Sequence, residues 1–422
     1  MFRSILLLFL LTTARVAVAD PLSFKDALAI ATRSSPDIAA QTARVEAARS
    51  TSKAAGALPD PKLVVGVDNL PVTGTEQGSL TRDFMTMRKV GIMQEIPSWG
   101  RRDAQEAEAA AAIEQAQAEQ RVLILSTRRD TALAWLARYY LERKSALLDD
   151  LTLENDLFDQ TVQARFSAGN GSPADVIAPK QEAADIADRR DALSGDIAQA
   201  NSMLRRWVGA AVEEGLSGNP PELAVDTTLL RGHVHEHPEL AVFVPMTEKA
   251  QAEVHEAEAA KRPDWGVELS YGRRGSDFSD MVSLEVTVGL PIFSRSRQDP
   301  LIAAKRQDLS RIESEREAML RDHTQELEAT LAEYEVRTSQ LARLREVRLP
   351  LARQKVDYQF ASYRAGKADL SAVLTARREL IDERITELEL EGQREATLAR
   401  LYYFYGPGAS EATDSPQQEG GR

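Results

Sequence analysis

Three groups of side chains have types and spacings that could do chemistry. His233, His235 and His237 form a His-x-His-x-His run. Imidazoles at period two share one face of an extended segment and could bind zinc or copper there. The competing reading is a solvated connector, because His237 stands directly before Pro238, where a helix opens. Met85, Met87 and Met93 have the parity of one strand face, alternating with Val90, Ile92 and Ile96. Thioethers suit Cu(I) or Ag(I), although methionine is equally a packing residue. Asp175 and Asp369 lie near helical turns, where the helix dipole favours a carboxylate. No enzyme site or cofactor motif accompanies them. The sequence has no Cys nucleophile, no glycine loop before Lys-Ser/Thr and no His-Glu-x-x-His.

The elements that position these residues follow from a duplication. Ser35-Pro36-Asp37-Ile38-Ala39 resembles His237-Pro238-Glu239-Leu240-Ala241, with the prolines 202 residues apart. Pro61 and Pro263, which close the following helical stretches, share that offset. Ile96-Pro97 matches Leu290-Pro291, and Phe166-Ser167-Ala168-Gly169 matches Tyr363-Arg364-Ala365-Gly366. Four landmarks thus recur in one order. The first repeat runs over 20–232, with strands at about 62–71 and 83–96, a long helical hairpin at about 98–208 and a connector at 209–232. The second runs over 233–405, with strands at about 264–273 and 281–292 and a hairpin at about 295–405. A tail rich in Gly, Ser, Gln and Glu, 406–422, reads as disordered.

Each repeat therefore reads as a helix, two strands and a long helical hairpin. From Met281 to Ile292, Val282, Leu284, Val286, Val288, Leu290 and Ile292 alternate with polar or small residues. Trp265, Val267, Leu269 and Tyr271 alternate likewise, and Leu63, Val65 and Val67 more weakly. Arg88 and Gln94 interrupt the fourth segment. Strands of ~9–11 residues with one apolar face suit a membrane β-barrel, or a half-buried soluble sheet. The chain offers no further β-rich region for a soluble sheet to pack into. Four strands cannot close a barrel, and an open edge is forbidden in lipid. Copies of the chain would have to share one.

The hairpins are almost free of proline from Ser98 to Ser167 and from Leu301 to Arg364, where only Pro350 intervenes and is expected to kink its helix. Helices of such length reach about 100 Å. Leu309, Ile312, Met319, Leu327, Leu331, Tyr334, Leu341 and Leu344 fall mostly at coiled-coil-like spacings, with Arg316 and His323 in two gaps. Gly169 and Gly366 read as helix C-caps.

Composition suits an exported compartment, which the N-terminus points to, and excludes several partners. Among 422 residues there is no cysteine, and the net charge is −13. Thiolate metal sites and disulfides are excluded, and nucleic acid is a poor partner for an acidic surface. Residues 1–19 read as a signal peptide: Arg3, an apolar run Ile5 to Leu11, then Ala17-Val18-Ala19. That run is too short to span a bilayer, and no other stretch of the chain suffices. No Cys at the cleavage site offers a lipid anchor.

Together these features resemble the TolC-like outer-membrane efflux protein family over about Leu22 to Tyr405. The residues carrying the resemblance are Pro59-Asp60-Pro61, Asp68-Asn69-Leu70-Pro71, Gly91-Ile92-Met93-Gln94-Glu95-Ile96-Pro97 and the two turn motifs. The Asn-Leu-Pro and Gln-Glu-Ile-Pro segments look most like the heavy-metal branch, which includes cobalt–zinc–cadmium and copper–silver efflux channels. The resemblance implies a mainly α fold with a membrane β-barrel: a homotrimer with a twelve-stranded barrel in the outer membrane of a Gram-negative cell and a helical tunnel in the periplasm. It implies a periplasmic adaptor and an inner-membrane resistance-nodulation-division pump as partners, and no catalysis. Phe166, Gly169, Tyr363 and Gly366 are then the expected partner contacts. Asp175 and Asp369 become candidates for acidic rings at a periplasmic tip, since charged rings select cations in pores, although neither matches a motif closely. The face with Met85, Met87 and Met93 becomes a candidate lumen. Export of drugs or other organic compounds is the alternative within this fold. A soluble periplasmic coiled-coil scaffold or adaptor is the alternative outside it; it leaves the paired strands unexplained. An exported metal-binding protein using the three histidines is a third.

Overall fold

The computed structural model describes residues 21–169 and 171–407. The signal peptide and nearly all of the tail lie outside the described residues. The chain divides into two compact units, each assembled from separated segments.

One unit comprises the described parts of Met1–Ser35, Ser126–Val225 and Thr330–Phe404. Strand β1 (Leu22–Ser23) leads into α1 (Phe24–Ser34), whose first turn is capped by Ser23 Oγ accepting from Asp26 N–H at 3.2 Å. Helix α3 (Trp99–Ser167) contributes its later part to this unit, and α4 (Pro173–Val208) follows it. Its 69 residues without proline are rich in Ala, Glu, Gln and Arg, all strong helix formers. A 3₁₀ turn (Gly209–Glu214) then places β4 (Leu216–Ser217) in parallel register with β1. Trp135 is fully buried, edge-on to Phe24 at 5.3 Å between ring centroids. Its indole N–H donates to Leu22 O at 3.2 Å, which satisfies the one polar atom that burial would otherwise strand. Leu148, Leu151, Ile186, Leu193, Ile381 and Ile385 form a second cluster.

The last segment of this unit continues α8 (Gln298–Arg343) through a π turn (Leu344–Arg348) into α9 (Leu349–Arg364) and ends with α10 (Leu370–Arg400). The π turn is the response to Pro350. Proline has no N–H to donate, and the preceding Leu349 N–H reaches five residues back to Leu344 O. The widened turn absorbs the proline without ending the helix. A second π turn, Leu401–Tyr405, follows α10.

The other unit comprises Pro36–Leu125, Asp226–Ala329 and the described part of Tyr405–Arg422. It holds α2 (Pro36–Ser52), α5 (Thr227–His233), α6 (Pro238–Ala241), α7 (Phe243–Ala259) and the first parts of α3 and α8. Buried Gln41 donates from Nε2 to Ala116 O at 3.0 Å, fastening α2 to α3. Phe243, Ala250 and Ile312 join α7 to α8.

The same unit holds the sheet. Strands β2 (Lys62–Asp68), β3 (Met87–Ile96), β5 (Trp265–Arg273) and β6 (Met281–Val288) form one antiparallel sheet in the order β2-β3-β5-β6. The sheet does not close: β2 and β6 are its edges. Strand β6 stops at Val288, so Leu290 and Ile292 lie beyond the ladder although they keep the alternation. Residues 83–86 likewise precede β3. Asp83 there folds into a turn, its carboxylate accepting from Met85 and Thr86 N–H. No helix among the described residues is long and apolar enough to cross a membrane.

Candidate functional site

Antiparallel register turns the alternation of each strand into rows across the sheet. Leu63, Ile92, Leu269 and Leu284 form one row, and Val65, Val90, Tyr271 and Val282 the next. Every residue of these rows is exposed, Leu63 by 73% and Leu284 by 70%. The opposite face carries Lys62, Met93, Glu268 and Glu285 in one row and Val64, Gly91, Ser270 and Ser283 in another. One face is thus mainly apolar and bare through its middle rows, with Arg88, Arg273 and Gln94 toward its ends; the other mixes charged, small and methionine side chains. The two interruptions read from the sequence are accommodated. Arg88 sits near the β3 start and donates to Arg274 O at 3.4 Å. Gln94 turns its amide back to the carbonyls of Pro59 and Glu95, both at 2.8 Å.

The polar face carries an ion pair that sequence reading missed. Lys89 Nζ lies 2.7 Å from Glu268 Oε1 and 4.0 Å from Asp68 Oδ2. These partners stand on three neighbouring strands, so only the register reveals them. Met87 and Met93 lie on this face too. A Cβ at Gly272 would stand 3.3 Å from Met87 Sδ, and one at Gly266 would stand 3.3 Å from Met93 Cε. Each thioether therefore packs over a glycine of β5. Six residues of strand separate them, a span of ~20 Å, and Met85 precedes the strand and is exposed. The three do not converge within one chain.

The helical turns hold the other candidates. Gly169 (φ +79°) donates to Phe166 O at 3.0 Å, and Gly366 (φ +71°) donates to Tyr363 O at 3.0 Å. Lys367 N–H also reaches Ser362 O at 2.9 Å, which completes a Schellman motif. Phe166 is exposed, whereas Tyr363 is buried with Phe158, Val162, Leu370 and Val373. The guanidinium of Arg165 lies 4.2 Å over the Tyr363 ring. Burial pushes the Tyr363 hydroxyl above its ordinary pKa, and the nearby Asp175 carboxylate adds to the shift. Asp175 accepts from Ser172 N–H at 3.0 Å, as the third residue of α4 does in a capping box. Asp369 is the N-cap residue of α10, with no hydrogen bond from its side chain to the helix.

The histidine run is not extended. His233 ends α5 with Nδ1 2.8 Å from Leu229 O, a 3₁₀ turn covers Val234–Glu236, and His237 caps α6. His235 is exposed beside Glu236, while His237 is buried. The local helical geometry breaks the period-two alignment that a shared face requires. His237 instead meets Glu239 and His323. His323 belongs to α8, where the sequence marked it only as a gap in the apolar spacing. A titratable side chain at a core position of a long helix was the available signal.

An open sheet with a bare apolar face, joined in the chain to paired long helices, defines a class of membrane channel subunit. The chain matches the family model for outer membrane efflux protein over residues 27–210 and 234–406, and it belongs to that family. Members of the family are transport channels rather than enzymes. No curated protein matches the sequence. Among solved structures the chain is similar to a membrane protein from Pseudomonas aeruginosa, with a TM-score of 0.78, 15% identity, and 91% of this chain and 90% of that one covered. It is similar to CusC, described as forming a transmembrane channel, with a TM-score of 0.74, 16% identity and 91% and 92% covered. It is also similar to the outer membrane protein VceC from Vibrio cholerae, with a TM-score of 0.72, 18% identity and 91% and 96% covered.

Proposed function

We propose that the protein is the outer-membrane channel of a tripartite efflux system in a Gram-negative cell, exporting heavy-metal cations. The observation that carries this reading is the four-stranded sheet with a bare apolar face and two unpaired edges. In lipid the apolar rows face the acyl chains, and the edges must be paired because no water is present to satisfy them. Three copies pairing β6 of one chain with β2 of the next close a twelve-stranded barrel, with Lys89, Glu268 and Glu285 facing the lumen. The helices extend into the periplasm, where the turns after α3 and α9 meet an adaptor and an inner-membrane pump. A soluble scaffold would have no use for the bare sheet.

The metal cargo rests on the Asn69-Leu70-Pro71 and Gln94-Glu95-Ile96-Pro97 segments, which resemble the heavy-metal branch of the family. A strain lacking the gene tests it. The expected result is lost tolerance to one or more of zinc, cadmium, cobalt, copper and silver. Unchanged metal tolerance with new sensitivity to organic compounds would instead assign drug export. Recovery of the protein in the soluble periplasmic fraction would sink the channel reading altogether.

A further inference from the structure

The buried group at the start of α6 has the composition of a metal centre. His237 Nδ1 accepts from Glu239 N–H at 3.2 Å. Glu239 Oε2 lies 3.0 Å from His323 Nε2. The two imidazole rings are 4.3 Å apart at their centroids. One ligand atom from each of the three residues lies within 4.8 Å of the others. Both histidines are 3% exposed, and Glu239 is half-buried. The Tyr405 hydroxyl stands 3.5 Å from His323 Nδ1, the nitrogen whose hydrogen bond would orient the ring for ligation through Nε2.

We propose that His237, Glu239 and His323 bind one divalent transition-metal ion, of which Zn²⁺ is the type. Two imidazoles and a carboxylate are a donor set for borderline ions. The group contains no sulfur, so it does not favour Cu(I) or Ag(I). It has too few oxygens for Mg²⁺, which demands octahedral coordination. Three protein ligands leave the fourth tetrahedral position to a water or a further ligand.

The hydrogen bonds of the group show what an ion would displace. The His237 lone pair on Nδ1 takes the amide of Glu239, so a neutral ring keeps its proton on Nε2. Coordination through Nε2 moves that proton to Nδ1 and exchanges the helix cap for a metal bond. Glu239 exchanges its contact with His323 for the ion. These hydrogen bonds and the coordinate bonds of an ion are therefore alternatives. The filled site ties the first turn of α6 to α8 and stabilises the fold by mass action. This role does not depend on the compound the channel carries.

The test uses the full mature chain in detergent, without a histidine tag and stripped of metal with a chelator. Zn²⁺ is titrated, bound metal is counted by elemental analysis, and the thermal midpoint is followed. The expected result is one Zn²⁺ per chain and a midpoint raised by about 2 °C or more, with no response to Mg²⁺. His323→Gln and Glu239→Gln should each weaken binding by at least about tenfold and abolish the midpoint shift. The double variant His233→Asn, His235→Asn should keep both. Glu239→Gln, at the less buried position, serves if His323→Gln fails to fold. Zinc binding that survives Glu239→Gln and disappears in the double variant would overturn the proposal, as would a wild-type chain that binds no zinc.

Discussion

Phe166 and Tyr363 occupy matching places in the two helical turns, three residues before Gly169 and Gly366, yet one ring is exposed and the other buried. The backbones agree: both glycines adopt positive φ and both donate to the carbonyl three residues back. The side chains differ in what packs beside them. Tyr363 falls among Phe158, Val162, Leu370 and Val373 under the Arg165 guanidinium, whereas Phe166, near the end of α3, is 42% exposed. A turn motif thus transfers backbone geometry between repeats, but not the exposure that a partner requires. Of the two aromatics proposed as partner contacts, Phe166 offers the exposed ring, while Tyr363 also packs inside its own chain.

The largest break in this comparison should come from truncating the rings. Tyr363→Ala should destabilise the protein by about 3–5 kcal/mol, the cost of emptying a buried aromatic site. Phe166→Ala should change stability by no more than about 0.5 kcal/mol while weakening capture of the adaptor or pump. Denaturant midpoints in detergent and pull-down with the partners would check both; equal stability loss would erase the distinction. Next come the glycines, where the turns should respond alike. Gly169→Ala and Gly366→Ala each force a Cβ into left-handed backbone and should cost about 1–2 kcal/mol. A difference well beyond that range between them would show that the two turns are not equivalent.

The capping carboxylates should separate the turns again, more weakly. Asp175→Ala loses the bond from Ser172 N–H and should cost about 1 kcal/mol. Asp369→Ala removes an exposed side chain that makes no such bond and should cost no more than about 0.5 kcal/mol. Thermal midpoints would rank them. The smallest effect is one of pH. A Tyr363 hydroxyl raised in the folded state stabilises the fold fully below the unfolded tyrosine value of about 10, and that contribution is lost as pH rises through the folded value. Tyr363→Phe should flatten the alkaline limb of a stability–pH profile, and an unchanged limb would assign it to other groups.

The long helices were legible because helix formers run unbroken over many turns, and the strand faces because period two is written along each strand. Pro350 was visible too, as the place where a regular helix is interrupted; the chain widens there into a π turn. The candidate sites were less legible for a geometric reason. His233, His235 and His237 look like a unit because they are close in sequence, but a 3₁₀ turn between α5 and α6 points them apart. His323 and Glu239 come together only through the packing of α6 on α8, and Lys89 finds Glu268 only through the register of β3 on β5. Such partners are set by tertiary placement, which spacing along one chain does not encode.

The open edges of the sheet carry a genetic consequence. In the proposed trimer every chain uses both edges, β2 toward one neighbour and β6 toward the other. An allele that spoils one edge is therefore not silent beside a normal copy. With equal expression and random mixing, only about one trimer in eight would be assembled wholly from sound chains, as expected for a closed ring of three. Edge alleles should behave as dominant, whereas alleles that prevent export of the chain should be recessive.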